Sequence, residues 1–135
     1  MILVDTSVII DSFKGNMNEK AELFKRILKQ GISFGIASYT YQEVLQGARD
    51  EAEYKKLNEY LSTQHIYFLP QVIETYEKAA SIIFLLKRRG VTVRSSIDAL
   101  IALTAIENDL LLLHNDRDYD AMAEKMPKLH ILQQL

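Results

Sequence analysis

The sequence predicts an α/β fold, in which a parallel β-sheet of four to five strands carries helices on both faces. Short apolar runs alternate along the chain with longer segments of helical periodicity, as they do where helices join parallel strands. The runs are apolar throughout rather than at every second residue, which indicates strands that are covered on both sides. A chain of 135 residues that is 48% hydrophobic suits one domain, so residues 1–135 are expected to form a single unit.

The predicted strands are five short runs with few charges. The third run ends at a proline, which cannot donate a hydrogen bond within a sheet. In chain order the runs are Met1–Val4, Ser33–Ala37, His65–Leu69, Leu110–Leu113 and a short fifth at Leu129–Leu132.

The predicted helices combine apolar periodicity with residues that begin or end a helix. Asn, Asp and Ser accept hydrogen bonds from the free N–H groups of a first turn, and glycine adopts the left-handed conformation that follows many helices. On this basis the helices are Asn18–Gln30, Ser38 or Thr40 to Ala48, one that starts at Asp50, Gln71–Arg89, Ser95 or Ser96 to Asn108, and a short one that begins at Asp120.

The composition excludes several classes of protein. There is no cysteine, which rules out disulfides and thiolate metal sites and fits a cytoplasmic protein. The longest apolar runs, such as Ile82–Leu86, are far too short to cross a bilayer, so no membrane association is expected. A net charge of −2 argues against a surface that is basic throughout, but it is compatible with a local basic patch.

Four acidic residues, one of them Glu43, lie within or beside segments that are predicted to be structured. Asp5 directly follows the first strand, Asp116 follows the fourth, and Asp98 is the only charge between Ile97 and Ile106. Because carboxylates near buried segments repel one another and lose hydration, they need a compensating cation. The carboxyl ends of parallel strands share one edge of a sheet, where binding sites form, so Asp5 and Asp116 are expected to converge.

Three of these acids also have structural explanations. Asp5 can cap a helix or stabilise a turn. Glu43 completes a capping box if its helix starts at Thr40, but it is free to point into a cleft if the helix starts at Ser38. Asp98 gains roughly 0.3–1 kcal/mol from the helix dipole, as any acid in that turn would. A charge in so apolar a helix still needs a partner.

Together the acids form an oxygen-rich set of potential metal ligands. Asp116 and Asp118 stand two residues apart in a polar segment, which is either an ordinary turn or a place where both carboxylates share one ion. Oxygen ligands favour Mg²⁺ or Mn²⁺ over zinc. Such an ion activates water and neutralises phosphate charge, so the acids indicate phosphoryl-transfer chemistry.

Four blocks of sequence, taken in order, resemble the PIN domain and most closely the VapC-type toxins of toxin–antitoxin pairs. The likeness covers nearly the whole chain. Tyr119 stands where phenylalanine is commoner in the family, a difference that is expected to be harmless packing. The blocks are Val4–Ile10, Tyr41–Gly47, Ser96–Ala102 and Leu113–Asp120.

The resemblance implies a PIN-like fold and an endoribonuclease that depends on Mg²⁺ or Mn²⁺ and cleaves RNA phosphodiester bonds with a metal-activated water. It also implies a homodimer that is inhibited by a cognate VapB-like antitoxin. Catalysis is assigned to Asp5, Glu43, Asp98 and Asp116. The same four residues, with Asp118 as an accessory acid, are assigned to metal binding, where Glu43 and Asp118 hold a second ion or position the water.

Four further residues are candidates for substrate contact. Thr6 matches the family's hydroxyl after the first acid, and either Thr6 or Ser7 orients Asp5 or touches a phosphate. Arg94 precedes the helix of Asp98 and is a candidate phosphate contact. Arg117 either contacts substrate or balances the charge of its acidic neighbours.

Other functions are compatible with the same fold. A PIN nuclease that matures RNA would carry the same acids as a toxin. A non-catalytic interaction module should have lost some of them. A phosphatase with a nucleophilic Asp often has a second Asp two residues later, where this chain has Ser7.

Two segments are candidates for contact with other proteins. The run Ile82–Leu86 predicts a central core helix, part of which could instead face a second subunit or an antitoxin. The helix over Glu51–Tyr60 is the other candidate.

Overall fold

Five strands form one parallel sheet in the computed structural model, which describes all of residues 1–135. The predicted α/β fold is confirmed. All five predicted strands are present, and the third and the fifth are each two residues shorter than expected. They are β1 (Ile2–Val4), β2 (Phe34–Ala37), β3 (His65–Tyr67), β4 (Leu111–Leu113) and β5 (His130–Ile131).

Seven helices connect the strands, and none of them is long and apolar enough to cross a membrane. Three begin at predicted capping residues: Asn18, Asp50 and Ser95 each accept a hydrogen bond from a backbone N–H of the first turn. The helices are α1 (Thr6–Lys14), α2 (Glu19–Lys29), α3 (Ser38–Gln46), α4 (Glu51–Leu61), α5 (Ile73–Arg88), α6 (Ser96–Glu107) and α7 (Arg117–Lys125).

Two helices differ from the sequence-based expectation. Helix α1 was not predicted as a helix, because the hydroxyl residues after Asp5 also suit a turn; in the structure Asp5 is its N-cap and Val8 and Ile9 are buried. Helix α7 begins at Arg117 rather than at Asp120, because the Asp116 side chain accepts a hydrogen bond from the Asp118 N–H and caps the helix three residues earlier.

Helix α3 starts at Ser38, which resolves the alternative left open by the sequence. Its N-cap position is Ala37, and no side chain caps it. The capping box between Thr40 and Glu43 therefore does not form, and the Glu43 carboxylate is available for other contacts.

The order of the strands places a crevice between β1 and β4. The order is β3-β2-β1-β4-β5, and all neighbours are parallel. From β1 the chain first builds the sheet in one direction, through β2 and β3, and then returns to the other side of β1 with β4. Sites in such sheets form beyond the carboxyl ends of the strands where the direction reverses. Here those ends are Val4 and Leu113, which are paired in register.

Side chains on either face of the sheet pack into separate layers. Along β1, Ile2 and Val4 face the layer formed mainly with α1, α2 and α4, whereas Leu3 faces the layer formed with α5, α6 and α7. Leu113 and Leu112 divide in the same way. Successive side chains of a strand point to opposite faces, so a strand covered on both sides must be apolar throughout.

Helix α5 is not the central core helix that its apolar run indicates. Leu86 is buried, but Phe84 and Leu85 are exposed to solvent. The helix therefore has one apolar face in the core and a second apolar face at the surface.

Candidate metal centre

Asp5 lies at the carboxyl end of β1 and is only 4% exposed. Its backbone N–H donates to the Leu113 carbonyl oxygen over 2.9 Å, which continues the pairing of β1 with β4. Its Oδ2 accepts hydrogen bonds from the Ser7 N–H (3.1 Å) and from the Ser7 hydroxyl (2.6 Å). The helix-capping explanation is therefore correct for Asp5, and Ser7 orients this carboxylate as expected of a hydroxyl at that position.

Asp98 reaches the same region from the first turn of α6. Burial raises the pKa of its carboxyl group to about 7, and the negative charges of Asp5, Asp116 and Glu43 contribute in that order. The other three predicted acids therefore lie close enough to Asp98 to affect its charge. Like Asp5 and Glu43, Asp98 has no cationic partner, and its only hydrogen-bond contact within the chain is the Tyr119 hydroxyl at 3.3 Å.

Asp116 and Asp118 complete the acidic group from the start of α7. Asp98, Asp116 and Asp118 each offer a carboxylate oxygen, and these oxygens all lie within 4.8 Å of one another. Three carboxylates so close together repel unless a cation lies between them. Asp118 thus lies in the closest acidic group, together with Asp98 and Asp116.

Arg94 supplies part of the missing positive charge. Its Nε donates to Asp118 Oδ2 over 2.9 Å, and its Nη2 donates to Asp116 Oδ1 over 3.0 Å. The hydrogen bond and the charge of Asp118 raise the pKa of the guanidinium. Arg94 therefore lies beside the acids with its guanidinium paired to two carboxylates, and its contact with an RNA phosphate stays a prediction.

Glu43 faces the site from α3 and is held by a hydroxyl. The Thr6 hydroxyl donates to Glu43 Oε1 over 2.7 Å and lies 3.2 Å from the Thr40 hydroxyl. Thr6 therefore orients Glu43 rather than Asp5. Glu43 is not part of the trio of closest carboxylates, although its charge reaches Asp98.

The chemistry of the donors fits a small divalent cation. The trio consists of carboxylate oxygens alone, which suits Mg²⁺ or Mn²⁺ better than zinc. The repulsion that raises the pKa of Asp98 is relieved when a dication is bound by the same carboxylates. The site is also open on one side, because Asp98 and Asp116 are only partly buried.

Tyr119 is a member of the acidic site that the sequence did not reveal. Its side chain is fully buried, and its hydroxyl donates to Asp5 Oδ1 over 2.8 Å and lies 3.3 Å from Asp98 Oδ1. Burial, and then the neighbouring Asp5, raise the pKa of this phenol. The expectation that tyrosine here is harmless packing is wrong, because the hydroxyl enters the acidic site. The available signal was that a buried tyrosine needs a hydrogen-bond partner for its hydroxyl.

The remaining polar residues of the loop after β4 support the site from outside. His114 is buried, and its Nδ1 accepts the Asp116 backbone N–H over 3.1 Å, so the ring proton is on Nε2. Burial lowers the pKa of this imidazole. The Asn115 backbone N–H donates to the Ser7 hydroxyl oxygen over 3.0 Å. Arg117 is exposed and makes no side-chain hydrogen bond, so it is free to contact a ligand.

The fold and the site together define the class of protein. Residues 2–125 match the PIN domain, and the chain belongs to the PIN-domain family. It is 30% identical over 124 residues to the VapC ribonuclease Mb1587 of Mycobacterium bovis and to ribonuclease VapC11 of Mycobacterium tuberculosis. Each alignment covers 91% of this chain and 92% of the relative. The resemblance to VapC-type proteins is thereby confirmed.

Solved structures show the same fold. VapBC2 from Rickettsia felis, bound to a DNA fragment from their promoter, gives a TM-score of 0.72 at 19% identity, with 100% of this chain and 99% of that chain covered. VapBC-1 from nontypeable Haemophilus influenzae gives a TM-score of 0.70 at 18% identity and covers 99% of this chain and 98% of that chain. At these identities the likeness concerns the fold.

Proposed function

We propose that this protein is an endoribonuclease that depends on Mg²⁺ or Mn²⁺ and acts as the toxin of a toxin–antitoxin pair, with residues 1–135 as one PIN domain. The observation that carries the proposal is the convergence of Asp98, Asp116 and Asp118 with Asp5 at the crevice between β1 and β4. The names of the relatives support ribonuclease activity.

Asp98, Asp116 and Asp118 would hold the metal ion, with Asp5 beside them and Glu43 at the edge of the site. When bound, the ion activates a water molecule and neutralises charge on the phosphate. Hydrolysis would join the water oxygen to phosphorus and break the bond from phosphorus to the 3′ oxygen of the ribose. The products would be a 5′-phosphate and, after the 3′ oxygen takes up a proton, a 3′-hydroxyl. The free energy of folding offsets the repulsion between these carboxylates, so the acids are already close together before the metal ion binds.

Neighbouring residues of the chain orient these acids and the RNA. Ser7 fixes Asp5 and Thr6 fixes Glu43, so that Glu43 can position the attacking water or hold a second ion. Arg94 and Arg117 would contact the RNA backbone, because both are exposed cations beside the acids. Arg94 would first have to leave Asp116 and Asp118. A metal ion that neutralises these two carboxylates would allow the guanidinium to bind a phosphate instead.

Asp98→Asn tests the nuclease directly. Asp98 caps no helix and pairs with no cation, so the neutral amide should remove the catalytic charge without unfolding the chain. We expect RNA cleavage with Mg²⁺ supplied to fall at least about 100-fold. The measurement is the cleavage rate of end-labelled RNA, with circular dichroism as the check on folding.

Asp109→Asn is the matched control. Asp109 is an exposed acid just beyond the other end of α6, and its φ of 52° is tolerated by asparagine. Its cleavage rate should equal that of the wild type. Cleavage by Asp98→Asn at the wild-type rate would show that the acidic group is not the catalytic centre.

The role as a toxin is tested in cells. Expression of the wild type should arrest growth, and expression of Asp98→Asn should not. Co-expression of the product of the adjacent gene should relieve the arrest. Growth without arrest, combined with RNA cleavage in vitro, would instead indicate a PIN nuclease that matures RNA.

We assign the antitoxin to a groove between α1, α3 and α4. The groove has a volume of about 390 Å³, and its lining combines apolar side chains, among them Ile10, Phe13, Val44 and Leu57, with three basic and two acidic ones. A groove of this mixed character suits an amphipathic helix, whose apolar face would contact the apolar side chains. The solved relatives, which are complexes of VapB and VapC proteins, support a VapB-like occupant. Helix α4, one of the two segments that the sequence offers for contact with other proteins, lines this groove.

We assign the homodimer contact to the exposed apolar face of α5. Ile73, Tyr76, Ala80 and Phe84 are exposed and recur at intervals of three or four residues, so they lie along one face of the helix. Two-fold symmetry would bring this face against the same face of a second copy.

A further inference from the structure

We infer that the Tyr119 hydroxyl is a positioning group of the metal centre, which sets the carboxylates of Asp5 and Asp98 relative to each other. This inference rests on the proposed function, because it assigns a role within the same site. We assign Tyr119 as a positioning group rather than a ligand, because its hydroxyl donates its proton to Asp5 Oδ1. It acts through the two acids that its oxygen reaches, at 2.8 Å from Asp5 Oδ1 and 3.3 Å from Asp98 Oδ1.

The hydrogen bonds of the two acids show that Tyr119 is their link. Asp5 Oδ2 is already occupied by the N–H and hydroxyl of Ser7, whereas Asp5 Oδ1 has Tyr119 alone. The Asp98 side chain has no hydrogen bond within the chain except that to Tyr119. Asp5 comes from the end of β1 and Asp98 from α6, so a single hydroxyl joins carboxylates of two separate elements.

The position of this hydroxyl is fixed by the turn that carries the other acids. The Tyr119 backbone N–H donates to the Asp116 carbonyl oxygen over 3.1 Å in the first turn of α7. Its ring is fully buried and lies against the ring of His114, with the centroids 5.0 Å apart. Residues Asp116 and Asp118 belong to the same turn. Tyr119 therefore couples Asp5 and Asp98 to the remaining ligands through a rigid support.

Tyr119→Phe isolates this role, because the ring is kept and the oxygen alone is lost. Asp98 then loses its hydrogen bond and Asp5 loses one of three, so the two carboxylates turn away from each other by repulsion. Groups that orient metal ligands in this way typically contribute roughly 10- to 100-fold to metal affinity. We expect the dissociation constant for Mn²⁺ to rise by that factor.

The experiment is calorimetric titration of MnCl₂ into wild type, Tyr119→Phe and Tyr39→Phe, each first melted without metal to confirm folding. Tyr39 is the matched control, because its hydroxyl is buried without a hydrogen-bond partner. Tyr39→Phe should bind Mn²⁺ as the wild type does. RNA cleavage by Tyr119→Phe should recover when Mn²⁺ is raised to saturation, because the chemical step does not involve the hydroxyl.

Three results would overturn the inference while leaving the proposed function intact. One is a Tyr119→Phe variant that binds Mn²⁺ within about twofold of the wild type. The second is cleavage that stays low at saturating Mn²⁺ although affinity is unchanged, which would place the hydroxyl against the substrate. The third is an equal loss of Mn²⁺ affinity in Tyr119→Phe and Tyr39→Phe, which would show a general loss of packing.

The proposed function fails separately. Suppose that the wild type binds Mn²⁺, that Tyr119→Phe binds it more weakly, and that the wild type cleaves no RNA. The positioning role of Tyr119 would then stand, and the proposed nuclease activity would be wrong. If the wild type binds no Mn²⁺ at all, both are overturned.

Discussion

At the scale of single residues, Asp98 shows how the fold makes the ionisation of a carboxyl group unfavourable. Burial and three neighbouring acids raise the pKa of this carboxyl group to about 7. An unfolded chain would ionise the same group near pH 3.9. Folding therefore holds a proton on Asp98 over a range in which the unfolded chain has released it.

The metal-free protein should accordingly lose stability between about pH 4 and pH 7 through this residue. In that range the unfolded state binds fewer protons than the folded state, so the free energy of unfolding falls as pH rises. The measurement is urea denaturation in EDTA across the range. Asp98→Asn, which has no proton to lose, should show a smaller pH dependence, and an unchanged profile in that variant would contradict the assignment.

At the scale of elements, β2 shows how a neighbouring strand can restrict the size of the side chain at one position. A Cβ added at Gly35 would lie 2.5 Å from Tyr67 Cε2 and 2.9 Å from the His65 carbonyl oxygen on β3. Both distances are below any ordinary contact, and the second atom belongs to the backbone and cannot rotate away. Glycine at this position therefore allows β2 and β3 to pair with Tyr67 lying over the strand.

We expect Gly35→Ala to lower the free energy of unfolding by about 1–3 kcal/mol, the usual cost of overpacking. The matched control is Gly47→Ala at the end of α3, where the added Cβ would meet backbone oxygens at 3.6 Å. That variant should stay within about 0.5 kcal/mol of the wild type. The free energy of unfolding of both variants is measured by denaturant titration. If both variants lost the same free energy, the close contact with Tyr67 would not be what excludes a side chain at Gly35.

The elements also show where sequence reasoning reached its limit. Strands were predicted well because a strand covered on both faces has to be apolar at every position. Helix α1 was missed because Thr6 and Ser7 suit a turn equally well, and their side chains in fact serve Glu43 and Asp5. The start of α7 was misplaced because Asp116 acts both as helix cap and as member of the acidic group. The helix boundaries were predicted wrongly where one residue both shapes the local backbone and contacts residues that are distant in the sequence.

At the scale of the whole molecule, the candidate site depends on the order of the strands. The sequence placed Asp5 and Asp116 at strand ends, and that was enough to expect their convergence. It gave no strand order, so it did not show that β1 and β4 are direct neighbours. The link from Tyr119 to Asp5 and Asp98 depends on how α7 packs against α6 and the sheet, and no local pattern encodes such packing.

The apolar face of α5 leads to a prediction about the assembly. Ile73 and Phe84 are 66% and 59% exposed, and burying them against a second copy would remove a large apolar surface from water. Phe84→Asp should weaken dimerisation at least about 10-fold, because a charge would enter the apolar contact. Light scattering at several concentrations measures the change in mass.

Leu28→Asp is the control for that variant, since Leu28 is an exposed apolar residue on α2. It should leave the mass unchanged. A dimer that persists in Phe84→Asp and is lost in Leu28→Asp would move the contact to α2.

The pairing of β1 with β4 also bears on the synthesis of the protein. Val4 is synthesised long before Leu113, its partner in register, and Asp116, Asp118 and Tyr119 follow later still. A nascent chain therefore has no complete acidic site before Tyr119 has been synthesised. If the folded protein cleaves RNA, the growing chain is harmless to its own message at least up to that point.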